Sequence, residues 1–257
     1  MNKTLDLVNN NKVIIVAFAN IAYRDVIVNW IFAMEKLKIT NFVIICLDKE
    51  LEVYLKKIDI PTLFCPCENN LNTLWVHRII VIQKILSLGY HVIHSDADAV
   101  WIKNPIPTFI ENQPFDLIFS QGTIWPLDVY NTWKLVLCCG FFYVKSNPKT
   151  LAFFIELKTQ VEIEGDDQLS LNRLLFKKIK KWKIKDSYNL TYNKKIFKCS
   201  PHIMTAKTET MQIACLPHLK FQRIKEDYSG IYIKHIISNK NSLDIISTLK
   251  ENKCWYI

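Results

Sequence analysis

Short apolar segments alternate with helical patterns through the first 95 residues, and this alternation limits the possible folds more than any other feature. Four segments have the length and composition of buried strands: Val13–Ala19, Phe42–Leu47, Thr62–Cys65 and His91–Ser95. Three segments between them have the periodicity of helices: Val26–Leu37, Lys49–Lys57 and Thr73–Leu88. Such alternation predicts right-handed crossovers and a mostly parallel sheet flanked by helices.

The second half of the chain is less regular. Strands are predicted at Phe115–Ser120 and Gly140–Lys145, helices at Pro148–Thr159 and Asp167–Phe176, and short strands with loops from Lys194 onward. No linker rich in Gly, Ser or Pro separates the two halves. We therefore expect one α/β domain over residues 1–257 with a mixed, irregular C-terminal half.

The composition is that of a globular protein rather than a disordered or membrane-spanning one. Half of the residues are apolar, and only five are glycine and nine proline. The apolar runs are far shorter than the ~20 residues of a membrane-spanning helix, and Met1–Lys12 lacks the apolar stretch of a secretory signal peptide. Eight cysteines without a CxxC pair predict reduced thiols in the cytoplasm.

The formal net charge of +9 is densest in the segment KKIKKWKIK at Lys177–Lys185. Such a segment either is a solvated helix edge or attracts an anionic partner. It carries no nucleic-acid motif, which argues against a nucleic-acid partner. The alternative is a weak peripheral contact with an anionic inner membrane face, made by six lysines: Lys177, Lys178, Lys180, Lys181, Lys183 and Lys185.

Two carboxylates follow the fourth predicted strand where it leaves the sheet, in Asp96-Ala97-Asp98. Ligands of open parallel sheets bind beyond the carboxyl ends of the strands. Two hard oxygen ligands at that position are suited to Mn²⁺ or Mg²⁺, and such an ion binds a diphosphate. The sequence therefore predicts a divalent metal site here.

Four motifs in order resemble nucleotide-diphospho-sugar transferases related to glycosyltransferase family 77, which includes plant cell-wall arabinosyl-, xylosyl- and galactosyltransferases. The central one is GYHVIHSDADAVWIKNP at Gly89–Pro105. The others are VAFANIAYRD at Val16–Asp25 with Asn29-Trp30, CGFFYV at Cys139–Val144, and GDDQLSLN at Gly165–Asn172. The resemblance extends from about Val13 to His235. It implies the GT-A fold, with a nucleotide-binding half at about 13–105 and an acceptor- and sugar-binding half at about 106–257.

The resemblance also implies roles for individual residues. Asp96, Asp98 and His235 would hold Mn²⁺ or Mg²⁺, and Arg78, Asp167 and Gln168 would act in catalysis. Ten residues would bind the donor: Ala17, Phe18, Ala19, Asn20, Arg78, Asp96, Ala97, Asp98, Gly140 and Lys240. The chain departs from the family pattern at Cys139, where a small polar residue is expected, and after His235, where the usual glycine is missing.

The activity that the resemblance implies is metal-dependent transfer of a sugar from a UDP-sugar to a glycan, glycoprotein or lipid-linked hydroxyl. Retention of anomeric configuration is expected, by front-face attack or by double displacement through Asp167. Three of these residues have a purely structural alternative role. Arg78 could be a solvated helix residue, Asp167 a helix cap and His235 a hydrogen-bonded core histidine.

Two other functions compete with this interpretation. Asp96-Ala97-Asp98 also fits the signature of haloacid-dehalogenase-like phosphatases, with Asp96 as nucleophile, but those enzymes carry it on the first core strand and here 95 residues precede it. A non-enzymatic basic module that binds RNA or anionic lipid would explain the charge and leave the carboxylate pair unexplained.

Overall fold

A nine-stranded mixed sheet forms the centre of the computed structural model, which describes residues 4–5, 12–68, 70–109, 114–226, 228–237 and 241–257. The strands in chain order are β1 Val13–Ala19, β2 Phe42–Cys46, β3 Thr62–Phe64, β4 His91–Ser95, β5 Ala99–Trp101, β6 Leu117–Gln121, β7 Leu137–Val144, β8 Trp182–Lys183, β9 Tyr188–Tyr192, β10 Lys195–Cys199, β11 Met204–Lys207, β12 Gln212–Cys215, β13 Phe221–Gln222 and β14 Ile233–His235. The helices are α1 Arg24–Lys36, α2 Lys49–Lys56, α3 Leu71–Ser87, α4 Ile106–Phe109, α5 Leu127–Trp133, α6 Pro148–Glu164, α7 Asp167–Lys178 and α8 Ser242–Glu251.

The strand order of the large sheet is β3-β2-β1-β4-β7-β6-β12-β11-β8. Strands β1 to β4 are mutually parallel, as their helical connections predict. In the C-terminal half, β7 runs antiparallel to both of its neighbours, and so does β11. The predicted α/β fold with a parallel first half and a mixed second half is therefore confirmed. The sheet takes strands from both halves of the chain.

Both faces of the sheet are buried, which explains why its strands are continuously apolar rather than alternating. Along β1, Ile14 and Val16 pack in one core cluster together with α3, α6 and α7. The intervening Val13 and Ile15 pack in a second cluster with α1, α2 and α8. Helices thus cover the sheet on both sides.

The predicted elements match the structure best where local pattern and tertiary packing agree. The bounds of β1 and β4 are those expected from the sequence, and α3 ends just before Gly89, whose φ is +87°. Helix α8 was not predicted, because the sequence analysis expected only strands and loops after Lys194. Among the described residues, no helix has the length and apolar character needed to cross a membrane.

A smaller three-stranded sheet, ordered β13-β14-β5, lies beside the carboxyl end of β4. Strand β5 follows the Asp96-Ala97-Asp98 turn directly and pairs antiparallel with β14, so that His235 lies opposite Ala99. This register brings a residue from near the end of the chain to the carboxylates that follow β4.

Candidate active site

A cavity of about 360 Å³ opens at the carboxyl ends of β1 and β4. Its volume lies in the usual range of small-molecule sites. Residues from both halves of the chain line it. They include Phe18, Ala19, Asn20, Tyr23, Arg78, Asp96, Ala97, Asp98, Trp125, Cys138, Gly140, Asp167, Gln168, Arg223 and His235.

Three of these residues form a cluster of potential metal ligands, the Asp-Asp-His cluster of Asp96, Asp98 and His235. One ligand atom from each lies within 4.8 Å of the other two. His235 Nε2 is 3.3 Å from Asp98 Oδ1 and 3.7 Å from Asp96 Oδ2. Two carboxylates and an imidazole are a donor set suited to a divalent metal such as Mn²⁺.

The two carboxylate oxygens of Asp96 face different partners. Oδ1 accepts a hydrogen bond from Arg78 Nη1 at 3.0 Å and lies 3.0 Å from His94 Nε2. Oδ2 faces His235. Burial opposes ionisation of Asp96, but His94 and the Arg78 charge outweigh it and hold the pKa of this carboxyl well below its usual range. Asp96 is therefore an oriented carboxylate with one oxygen directed at the cluster.

Arg78, on α3, is held in turn by Asp167 at the first position of α7. Both Nε and Nη2 of Arg78 donate to Asp167 Oδ2, the former at 2.7 Å. The two residues are 4% and 3% exposed, so this is a buried ion pair. The face of the guanidinium also lies 4.5 Å from the ring centroid of Trp75.

His94 completes this buried network as a neutral imidazole. Burial and the nearby Arg78 charge lower the pKa of His94 to about 4, despite the opposing effect of Asp96. His94 Nε2 lies 3.0 Å from Asp96 Oδ1 and 3.1 Å from Arg78 Nη1, so it donates to the carboxylate in one tautomer and accepts from the guanidinium in the other. Its other nitrogen, Nδ1, has no hydrogen-bond partner among the described residues.

The hydroxyl of Ser95, which precedes the Asp96-Ala97-Asp98 turn, explains why the motifs contain Trp30 and Trp101. Ser95 Oγ accepts hydrogen bonds from the indole Nε1 groups of Trp30 and Trp101, each at 3.1 Å. Its own proton lies within reach of the carbonyls of Asp96 and Ala99. Trp30 of the first motif therefore acts together with Ser95 and Trp101 of the central motif: the three residues fix the backbone that carries Asp96 and Asp98.

Gly140, on β7, leaves the space in which the cluster forms. A Cβ at this position would overlap with the His235 ring and approach Asp96 Oδ2 to 2.5 Å. Burial and the Arg223 charge oppose protonation of His235, but Asp98 and Cys138 outweigh them and raise its pKa to about 9. Cys138 Sγ lies 3.7 Å from His235 Nδ1. The absent side chain at position 140 and the donor set both fit a bound divalent ion.

The predicted donor-site residues occupy different positions relative to the cavity. Phe18, Ala19 and Asn20, like Ala97 and Gly140, line it. Ala17 is fully buried in β1, where its side chain packs in the core and cannot reach a ligand. Lys240 lies outside the described residues.

Gln168 is held by two backbone groups rather than directed freely into the cavity. Its Oε1 accepts from the backbone N–H of Cys139 at 3.2 Å, and its Nε2 donates to the carbonyl of Trp125 at 2.8 Å. The neighbouring Asp166 caps α7 by accepting from Leu169 N–H at 2.7 Å. Asp166 is therefore the residue that caps α7, and Asp167 binds Arg78.

Sequence reasoning missed several residues of the site. The sequence predicted no functional role for His94, Ser95, Cys138, Tyr23 or Arg223. The carboxylates attract attention because their spacing is a motif. A single arginine 125 residues after Asp98 carries no local pattern, and only the pairing of β13 with β14 brings it to the cavity.

The family model described as nucleotide-diphospho-sugar transferase matches residues 37–243. The chain belongs to this family. The expected resemblance is confirmed, and family membership removes the phosphatase alternative, which also required Asp96 on a first core strand rather than after β4.

Two plant proteins from Arabidopsis thaliana are similar to this transferase-family chain. Beta-arabinofuranosyltransferase RAY1 is 27% identical over 162 residues, which are 56% of the chain and 29% of RAY1. Arabinosyltransferase RRA1 is 24% identical over 200 residues, or 68% of the chain and 50% of RRA1. The chain thus spans half the length of these relatives or less.

Among solved structures, galactosyltransferase LgtC in complex with donor and acceptor sugar analogues is similar to this chain. The two are 14% identical, and the match covers 63% of this chain and 70% of the LgtC chain with a TM-score of 0.44.

Proposed function

We propose that this protein is a glycosyltransferase that moves a sugar from a nucleoside-diphosphate sugar, with UDP as the nucleotide, to a hydroxyl group of a glycan, glycoprotein or lipid-linked acceptor. The observation that carries the proposal is the Asp-Asp-His cluster in a cavity at the carboxyl ends of β1 and β4. Family membership supports it independently. The transferred sugar would be a pentose or a hexose, and the arabinosyltransferase relatives favour the pentose.

Asp96, Asp98 and His235 would hold Mn²⁺ or Mg²⁺. Such an ion, when bound, supplies a positive charge beside the diphosphate leaving group. In the overall reaction the acceptor oxygen bonds to the anomeric carbon, the bond from that carbon to the diphosphate oxygen breaks, and the acceptor proton is released.

The buried network behind the cluster would position Asp96. Asp167 Oδ2 accepts from two N–H groups of Arg78, and Arg78 and His94 both contact one oxygen of Asp96. The other oxygen keeps its direction because this network is buried and packed. We assign Arg78 and Asp167 to positioning. A carboxylate that is 3% exposed and bound to an arginine is poorly placed for the double displacement considered above, so front-face attack is the retaining route that we favour.

Metal and donor binding test the proposal directly. The wild-type protein should gain about 5–10 °C in melting temperature with Mn²⁺ and UDP together at saturating concentration, and it should hydrolyse at least one UDP-sugar in a panel. Asp98→Asn should lose both responses and keep its fold. Asp128→Asn, at an exposed ion pair with Arg173, is the matched control. A wild-type protein that binds neither Mn²⁺ nor UDP would refute the proposal.

We also propose that the protein works in the cytoplasm. Its eight cysteines, all within the described residues, are free thiols. A reducing compartment keeps cysteines in this state.

A second proposal concerns a basic groove of about 1040 Å³, lined by seven lysines and two glutamates. Lys177 and Lys178 on its wall end α7, whose first residue borders the donor cavity. The groove therefore lies about 16 Å from that cavity along the helix. The lysines would attract an anionic membrane surface at about 1 kcal/mol each.

Flotation with phosphatidylserine vesicles at low and high salt tests this contact. Replacement of the exposed Lys180, Lys181 and Lys183 by glutamine should abolish low-salt binding, and replacement of the exposed Lys57, Lys103 and Lys225 should preserve it. Binding that is equal in both triple variants would contradict the proposal.

A further inference from the structure

Arg223 enters the cavity next to the Asp-Asp-His cluster. It directly follows β13, whose parallel register with β14 pairs Gln222 with Lys234. The next position of that register is His235. Arg223 lines the same cavity as His235, and its Nη1 donates to the carbonyl of Ile236 at 3.3 Å.

A buried network fixes the loop that carries this arginine. The backbone N–H groups of Arg223 and Ile224 donate to His218 Nε2, each at 3.3 Å. Because Nε2 accepts, the proton of His218 is on Nδ1, which donates to Glu226 at 2.5 Å. Glu226 also accepts from the hydroxyl of Tyr188 at 2.8 Å. The loop is therefore preorganised from behind, through groups that do not face the cavity.

In the described part of the chain, no carboxylate lies within ion-pair distance of Arg223. Three carboxylates that line the same cavity contact other side chains instead. Asp167 and one oxygen of Asp96 bind Arg78, and Asp98 faces His235. Nε of Arg223 is buried and has no hydrogen-bond partner among the same residues. A buried N–H donor without an acceptor is destabilising. A guanidinium also presents parallel N–H groups that match two oxygens of a phosphate.

We propose that Arg223 binds the diphosphate of the donor through its free N–H groups. This inference rests on the proposed function, since it names the donor contact within that same cavity. Arg78 is less suited to this contact, because Nε, Nη1 and Nη2 each already donate to a carboxylate. Arg223 then neutralises the charge that the diphosphate gains as the bond to the sugar breaks.

Titration of UDP and of uridine in the presence of Mn²⁺ tests the contact, by calorimetry for UDP and by saturation-transfer NMR for uridine. Arg223→Gln should weaken UDP binding about 10- to 100-fold, the effect of losing a charge-assisted contact. Uridine binding should stay within about twofold, because uridine carries no phosphate. Arg223→Lys, which keeps the charge and loses the fork, should give an intermediate loss.

Lys225→Gln is the control, since Lys225 is an exposed cation on the same loop, and its UDP affinity should equal that of the wild type. The inference is overturned if Arg223→Gln binds UDP within twofold of wild type, or if it loses UDP and uridine affinity equally, which would indicate a deformed loop. A wild-type protein that does not bind UDP would instead refute the proposed function.

Discussion

Removal of Arg78 should expose the dependence of both the fold and the site on one buried ion pair. The Arg78→Met variant strands Asp167, which is 3% exposed and whose pKa is already raised by burial against the opposing Arg78 charge. Truncating one partner of a buried pair costs about 3–5 kcal/mol. Of a total stability of about 5–15 kcal/mol, that is a loss large enough for urea unfolding to measure.

A second substitution separates stability from function. In Arg78→Met with Asp167→Leu, the stranded charge is gone, and an apolar pair of similar volume should recover most of the lost unfolding free energy. Asp96 Oδ1 nevertheless lacks its Arg78 donor in the double variant. We therefore expect near-normal stability together with weakened binding of Mn²⁺ and UDP, measured by calorimetry.

Arg173→Met is the matched control, because Arg173 is 41% exposed where it pairs with Asp128 and Glu164, and its loss should cost about 1 kcal/mol. Two results would refute the reasoning. One is an Arg78→Met variant that loses no more stability than this control. The other is a double variant that binds Mn²⁺ and UDP like the wild type, since Arg78 would then not position Asp96.

Three further predictions follow from the packing around the site. Gly140→Ala should abolish Mn²⁺ binding in calorimetry, because its Cβ overlaps with the Asp-Asp-His cluster, whereas Gly122→Ala, whose Cβ approaches a valine methyl at 3.1 Å, should retain it. Ser95→Ala leaves two buried indole N–H groups unpaired and should lower the unfolding free energy by about 2–6 kcal/mol; a loss below 1 kcal/mol in urea unfolding would contradict this. Asn29→Ala removes the acceptor of the Tyr256 N–H at 2.7 Å and should speed hydrogen exchange there, while unchanged exchange would show that the C-terminal segment is held by other contacts.

The first half of the fold was predictable because its local and tertiary requirements agree. A strand buried on both faces must be continuously apolar, so Val13–Ala19 and His91–Ser95 stand out in the sequence. The carboxylates at the end of β4 stand out for the same reason, as polar residues at the end of an apolar run. Helix α8 was missed even though Asn241 caps it, since a 10-residue amphipathic helix in an irregular region gives a weak pattern.

The parts of the site that could not be predicted depend on pairings between distant segments. The histidine of the cluster was assigned only through resemblance; what places it is the pairing of β14 with β5. Arg78 and Asp167 were expected to act in catalysis, and we assign them to positioning for a related reason. Their types and positions suit contact with a donor, but only the structure shows that each is the other's partner.

The pairing of β5 with β14 also has a consequence for biogenesis. Asp98 and His235 are separated by 137 positions, so a nascent chain exposes both aspartates long before the ribosome delivers the histidine. Long-range pairing of this kind forms late, after the entropy of a large loop has been overcome. Under the proposed function, ion binding by all three residues would therefore mark completed synthesis and folding. A truncated product that ends before β14 would keep the segments of the parallel strands and lack the histidine of the cluster.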